Sequence, residues 1–243
     1  TLPDSFSAAA MGWMSGAKWR VGYKNEGRNF LLSSAYQKDN SLHRVEQYIR
    51  LAENFAGSPV TVEPVAFRNL SSVHSEHLVV NINSEASSRR LPEAKAVSLL
   101  KTLRAATPAE LLLIGGKNDS QFVGRVMSAL PDQKNMQNLS GVTSLKELVQ
   151  IMSSSAAVLS TDSGPAHLAN ACGRPAVVLF GAGNEKNTAP YNRQHLQVIR
   201  YGKLPCEPCV RNVCVLYGLP KCLDSLDEQG IVSSFLLQSA SRP

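Results

Sequence analysis

Leu159-Ser160-Thr161-Asp162-Ser163-Gly164-Pro165-Ala166-His167-Leu168-Ala169 reads as a strand, a tight polar turn and a helix start in direct succession. Ala156 to Leu159 supply the apolar strand. Gly164 lets the backbone approach a ligand, and Pro165 suits the first helical position, where its missing N–H costs nothing. Gly173 ends the helix and Arg174-Pro175 forbid its continuation. Ala176-Val177-Val178-Leu179-Phe180-Gly181 then has the unbroken apolar character of a strand buried on both faces of a parallel sheet. The whole is one βαβ unit. Its amide donors around Ser163 to Ala166 and the positive end of the helix dipole point out of the carboxyl edge of the sheet, where a phosphate is the natural guest.

The same alternation extends outward in both directions, so the fold class is α/β with a doubly wound sheet. Leu78 to Ile82 is a strand, Pro92 to Ala106 a helix, Glu110 to Gly115 a strand and Asp119 to Leu130 a helix. A short strand ends at Leu139. Ser144-x-x-Glu147 is a capping box, opening a helix expected to bury Leu145, Leu148, Val149 and Met152. Leu196 to Ile199 gives a last strand and Leu226 to Leu237 a final helix. Nearer the amino terminus, Ser5 to Gly16 reads as a helix, Trp19 to Tyr23 as a strand and residues 24–40 as loop. Ser41 to Gly57 returns to helical spacing, with Leu42, Val45, Ile49, Ala52 and Phe55 on one side. Ser58-Pro59, Glu63-Pro64 and Asn69 to Ser75 break the periodicity and form the expected linker. Three parts follow: 1–73, 74–225 and 226–243.

A chain of 243 residues with 43% hydrophobic composition can bury one large core or two modest ones. No apolar run is long enough to cross a bilayer and no signal peptide opens the chain, which places it in the cytoplasm by expectation. Lysine and arginine outnumber the acids 25 to 19, for a formal charge of +6. That surplus suits anionic partners; nucleic acid is not expected among them.

Asp162-Ser163-Gly164-Pro165-Ala166-His167-Leu168-Ala169, followed by a strand ending Phe180-Gly181, resembles the signature of glycosyltransferase family 9, the heptosyltransferases of lipopolysaccharide core synthesis. The resemblance extends through Leu139-Ser140-Gly141, Ser144 to Leu148, Gly115-Gly116 and an opening Leu2-Pro3-Asp4-Ser5-Phe6-Ser7-Ala8-Ala9. It implies a GT-B architecture of two Rossmann-like lobes. The glycine-rich loop and catalytic aspartate that open the family's first lobe have no counterpart here. Residues 1–73 are therefore expected to be the remnant of an incomplete N-terminal acceptor-side lobe, with the catalytic base preceding Thr1. Residues 74–225 would be the nucleotide-sugar-binding domain, and 226–243 a helix returning toward the first lobe.

By the same resemblance the donor is ADP-heptose, the acceptor is lipopolysaccharide core or a lipid A precursor, and transfer inverts the anomeric carbon with no cofactor required. An acceptor of that kind leaves room for peripheral contact with the cytoplasmic face of the inner membrane. Donor diphosphate would be bound by Ser163, Gly164, Pro165, Ala166, His167 and Arg89, with His167 and Arg89 as the catalytic charge stabilisers. Arg89 takes the position of a family lysine, by its spacing to Pro92, and Leu91 that of a tryptophan; arginine brings two donors where lysine brings one. Asp162, a carboxylate beside a diphosphate, is expected to organise the loop by accepting its amides or His167. Gly115, Gly116, Asp119, Gly141 and Val142 would meet the nucleoside, Asp119 fitting equally the N-cap of its own helix.

Cys206-x-x-Cys209, Cys214 and Cys222 are spaced like a structural zinc knuckle, a reading held level with a reduced loop or a disulfide; no catalytic metal is expected. Cys172 is expected in the core, Trp13 and Trp19 as packing residues. His43, His74, His77 and His195 show no ligating pattern. Asp4 and Glu26 remain as candidate bases for an acceptor hydroxyl. Two rival readings stand beside transfer: a non-catalytic nucleotide-sugar binding protein and a GT-B-type nucleotide-sugar epimerase.

Overall fold

In the computed structural model, which describes residues 2–63, 66–67 and 75–240, the chain divides into two compact units. The smaller is built from residues 1–63 with 186–188, the larger from 64–185 with 189–243. The expected boundary at 73/74, with His74 and most of the second half of the expected linker, lies outside the described residues.

The smaller unit opens with α1 (Phe6–Met14), capped by Ser5 Oγ accepting from the Ala8 amide at 3.2 Å. Then come β1 (Val21–Tyr23), β2 (Ser34–Tyr36) and α2 (Arg44–Ala56). β2 and a 3-10 turn over Arg28–Leu31 replace the loop expected at 24–40. β2 pairs in parallel with β1. What shapes this segment is the fully buried Arg28, whose guanidinium donates to the carbonyls of Tyr23, Pro3 and Ser5. Two of those partners, Pro3 and Ser5, are remote in sequence, so the contact leaves no local periodicity. His43 caps α2 by accepting from the Val45 amide, and Gly57 closes it with φ +71°. Trp13 and Trp19 are exposed rather than packed inside; Trp19 meets the edge of Phe55 with ring centres 6.0 Å apart.

Larger and more regular, the second unit runs β3 (Leu78–Asn81), α3 (Glu93–Ala106), β4 (Leu111–Leu113), α4 (Ser120–Ser128), β5 (Met136–Asn138), α5 (Leu145–Ser154), β6 (Ala157–Thr161), α6 (Gly164–Ala171) and β7 (Ala176–Phe180). The short α7 (Glu185–Thr188), whose residues 186–188 belong to the smaller unit, β8 (Leu196–Arg200), short α8 (Lys221–Asp224) and α9 (Glu228–Ala240) complete the chain. Two of these, α7 and α8, are too brief to show a period. The six strands are all parallel in the order β5-β4-β3-β6-β7-β8. Successive strands step one way from β3 to β5 and the other way from β6 to β8, so the order reverses between β3 and β6. In open α/β sheets ligands bind at the carboxyl ends beside such a reversal.

Side-chain alternation sorts the core into the two faces of this sheet. Leu78, Val80, Leu111, Leu113, Leu159, Val177 and Leu179 pack with α3, α4 and α9; Val79, Val158, Val178 and Phe180 pack with Met152, Ala166 and Ala169. The last helix, α9, buries Ile231, Val232 and Phe235 on α3, β6 and β7, within the larger unit. Phe235→Ala should therefore destabilise the larger unit by about 3–5 kcal/mol, the usual cost of emptying a buried phenylalanine site. Chemical denaturation measures it, and a change under 1 kcal/mol (roughly a surface effect) would mean that α9 carries no core.

Candidate donor site

The carboxyl ends of β3 and β6 bring two polar segments together. Asn81, buried at the end of β3, donates through Nδ2 to Ser163 Oγ at 2.8 Å and to Ser160 Oγ at 3.1 Å. Thr161 Oγ1 donates to the Asn83 carbonyl, and Ser163 Oγ donates to the Thr161 carbonyl at 3.2 Å. Asn83 Nδ2 ties this knot to the end of β4 by donating to Ile114 O at 2.8 Å. Buried polar side chains of this kind are retained when every donor has a partner, and here they fix the turn before α6.

On that framework the turn presents fewer amides than its sequence promises. Ser163 is the N-cap, Gly164 the first residue of α6 and Pro165 the second. Proline has no N–H. The Ala166 amide is spent on the Ser163 carbonyl at 3.1 Å, and the Asp162 amide on Leu179 O at 3.1 Å. Ser163 and Gly164 thus keep the two amides without a protein acceptor among the described residues. A Cβ built on Gly164 meets nothing within 4 Å, so the space beside it is open to a ligand.

Two cavities flank this turn. One, about 600 Å³, is walled by Ser84 to Ser87, Arg89, Asp162, Ser163, Gly164, Asn212 and Val213. Ser88 holds the far wall, its amide donating to the Asn212 carbonyl and its hydroxyl to the Arg211 carbonyl at 2.5 Å. The other, about 410 Å³, lies against Asn81, Asn83, Gly115, Gly116, Asp119, Thr143, Ser144, Leu145, Leu148 and Pro165. Ser84, Glu85, Ser163 and Gly164 belong to both.

Arg89 stands in the first cavity wall with its Nε lacking a hydrogen-bond acceptor and 3.8 Å from Asp162 Oδ2. Asp162 is 5% exposed, and that same oxygen accepts no hydrogen bond. The hydrogen bonds that hold the turn come from Asn81, Asn83 and Thr161. Gly183 seats that carboxylate so closely that a Cβ there would fall 1.9 Å from Oδ2. Burial pushes the Asp162 carboxyl above its ordinary range, while Arg89 and then Arg200 pull it down and Glu185 pushes it up. The native state therefore holds this proton more tightly than the unfolded chain, so the associated stability is present at low pH and is lost as pH rises through the raised value.

Asp119 is engaged on both oxygens, by the Gly116 amide at 2.9 Å and by Arg90 Nη2 at 3.1 Å, and it still lines the second cavity. Gly115 is required by packing: a Cβ would meet Asn83 Nδ2 at 2.6 Å and Ser140 Cβ at 3.1 Å. Gly141 and Val142 do not line that cavity. The Gly141 amide turns back to Gly115 O at 2.9 Å and Val142 is exposed, leaving Thr143, Ser144 and Leu145 to form the wall. The Ser144–Glu147 capping box forms as expected, but Leu145 faces the cavity mouth at 73% exposure rather than the core. His167 is exposed on α6 and lies outside both linings.

Away from the cavities, Asp4 is paired with Lys38, and Glu26 accepts the Phe6 amide at 2.9 Å. His77 is buried between Ser75 Oγ and Ile151 O. All five cysteines are free thiols. Cys172 and Cys222 are buried and pushed up to about 11, chiefly by desolvation. Among the described residues no three histidine, cysteine or acidic side chains converge on a point where a metal could sit, so the knuckle spacing of Cys206, Cys209, Cys214 and Cys222 does not become a knuckle in space. No helix among the described residues is long and apolar enough to cross a membrane.

Comparison with known proteins adds a family to this geometry. The model of glycosyltransferase family 9 (heptosyltransferase) matches residues 1–219. Lipopolysaccharide heptosyltransferase 2 of Salmonella typhimurium is 26% identical over 222 residues, a match covering 82% of this chain and 63% of that protein. The chain thus spans less than two-thirds of the length of such relatives. Among solved structures, E. coli ADP-heptose lipopolysaccharide heptosyltransferase II superposes with a TM-score of 0.75 at 22% identity, over 98% of this chain and 75% of that one. E. coli heptosyltransferase WaaC with ADP-2-deoxy-2-fluoro heptose gives 0.54 at 20% identity, over 71% and 54%. The architecture is that of the GT-B heptosyltransferases.

Proposed function

The chain belongs to glycosyltransferase family 9, and on that premise we propose that it binds ADP-heptose in its larger unit and transfers the heptose, with inversion, to the lipopolysaccharide inner core. The observation that carries this reading is the pair of unengaged amides at Ser163 and Gly164, set beside Arg89 where the strand order reverses and flanked by two cavities. A diphosphate there meets two N–H groups, a helix dipole and a guanidinium. The nucleoside then occupies the cavity of Gly115, Gly116, Asp119 and Leu145, and the sugar extends toward Asp162, Ser87 and Asn212. Relatives bind or act on such a donor.

In the reaction an acceptor hydroxyl attacks the anomeric carbon from the face opposite the diphosphate, the C–O bond to phosphate breaks, and the hydroxyl proton passes to a base. Negative charge grows on the leaving diphosphate. Arg89 and the two amides oppose it without reorganisation, since the protein already holds them in place. His167 is proposed to add a donor from the exposed side of the same helix start. The Asp162 carboxylate, in the wall of the first cavity and with Oδ2 accepting no protein hydrogen bond, is proposed to accept one from a sugar hydroxyl. Neither Asp4 nor Glu26 is assigned as base, because each already has a partner. The proposal includes no cofactor and sets the reaction at the cytoplasmic side of the inner membrane.

Incubating the protein with ADP-heptose, with and without truncated core lipid, tests the reading. Heptose appearing on lipid is the expected result. Donor isomerisation without lipid would indicate an epimerase, and binding without turnover a nucleotide-sugar binding protein; either outcome overturns transfer.

A further inference from the structure

A second arginine lies behind the donor site without lining either cavity. Arg200 ends β8, and its side chain is 13% exposed. Its guanidinium reaches under the segment that follows β7: Nε donates to Glu185 Oε2 at 2.9 Å, Nη1 to Gly181 O at 2.7 Å, and Nη2 to Gly183 O. The same group lies over the Phe180 ring, 5.9 Å from its centre. One planar fork thus fixes both ends of the segment 181–185. That segment closes on Asp162, with no room between Gly183 and Oδ2 for even a methyl group.

Asp162 Oδ2 accepts no hydrogen bond, so its orientation is set by its walls. On one side is the Gly183 backbone; on the other is Arg89 at 3.8 Å. A carboxylate in such a seat is held only as firmly as the segment that forms it.

We propose that Arg200 is a positioning residue of the donor site: it clamps residues 181–185 against Asp162 and supplies, from behind, positive charge that favours the charged form of this carboxylate, the acceptor for the donor sugar. The inference rests on the reading of the cavity as a donor site. Arg89, Arg200 and Glu185 are the charged groups that act on Asp162, and Glu85 shares the cavity wall. Arg200 and Glu185 pull the Asp162 proton in opposite directions although they form one ion pair. A clamp without an electrostatic role would respond alike to the loss of either partner.

The experiment compares Arg200→Gln, Arg200→Lys and Glu185→Gln in the full chain. It follows the Asp162 carboxyl by NMR of carboxyl-labelled protein without donor, and kcat/KM for ADP-heptose against pH. Arg200→Gln should move the Asp162 titration and the acid limb of kcat/KM upward by roughly 0.5–1 pH unit, and Glu185→Gln should move both downward. Arg200→Lys keeps the charge but cannot bond three acceptors in one plane, so its limb should stay in place while kcat/KM falls about tenfold. Shifts of the same sign in both glutamine variants, or none, overturn the proposal and leave Arg200 a loop clamp. Wild-type protein inert toward ADP-heptose would instead sink the functional reading, while the carboxyl titration still decides whether Arg200 governs Asp162.

Discussion

Arg89→Gln is expected to lower kcat/KM for ADP-heptose by about 10²–10³-fold, the range seen when one donor is removed from a site of developing negative charge. Two features of this side chain set it apart from the other basic residues. Its Nε is buried without a hydrogen-bond acceptor, and its one ion-pair partner among the described residues, Asp162, stands at 3.8 Å, too far for a hydrogen bond. Arg90 contrasts with it at every point: that guanidinium bonds Asp119 and Ser84 O and lies over Phe122. An arginine so engaged gains little from a ligand, whereas Arg89 holds its hydrogen-bonding capacity in reserve. The charge on the diphosphate rises as the glycosidic bond breaks, so the loss should be larger in kcat than in donor Kd. Arg89→Lys keeps the charge without the fork and should recover to within about tenfold of wild type. Steady-state kinetics with isothermal titration of donor would separate these effects. Equal activity in the glutamine variant would move the diphosphate away from the junction of the two cavities.

The βαβ unit was legible because its local signals agree: an apolar strand, a polar turn, proline at the helix start, glycine at its end and a second apolar strand. Strand order is a different matter, since it lies in pairings such as Val79 with Val158 that no window along the chain contains. Asn81, which ends β3 after three apolar residues, and Asn83 just beyond the strand are buried polar side chains, and that break in pattern is the available clue to the knot beneath the turn. The surroundings of Asp162 are hidden for a similar reason: Gly183, which packs on its carboxylate, and the arginine that fixes Gly183 both come from later in the chain. Leu145 shows the opposite error. Spacing correctly put it on an apolar helix face, but a face that borders a binding cavity and a face that borders the core look alike in sequence.

Gly164→Val should abolish measurable donor binding, a loss of at least about 100-fold, while leaving the thermal midpoint within about 2 °C of wild type. The stability half of this expectation follows from the surroundings. Gly164 has no positive φ, it opens α6 without being inside it, and a Cβ there meets no protein atom within 4 Å. Gly115 and Gly183 differ, because a Cβ at either collides with a neighbouring side chain. Of these three glycines, Gly164 alone lines both cavities with open space where a Cβ would stand. The binding half follows from position: Gly164 lies in the lining of both cavities and carries one of the two unengaged amides, so two methyl groups there stand where a phosphate oxygen must come to hydrogen-bond distance. Gly164→Ala should fall between, with binding weakened but detectable. Donor titration beside a melting curve reads both quantities on one sample. Tight binding by the valine variant would place the phosphates elsewhere, and a collapsed melting curve would make Gly164 a folding requirement.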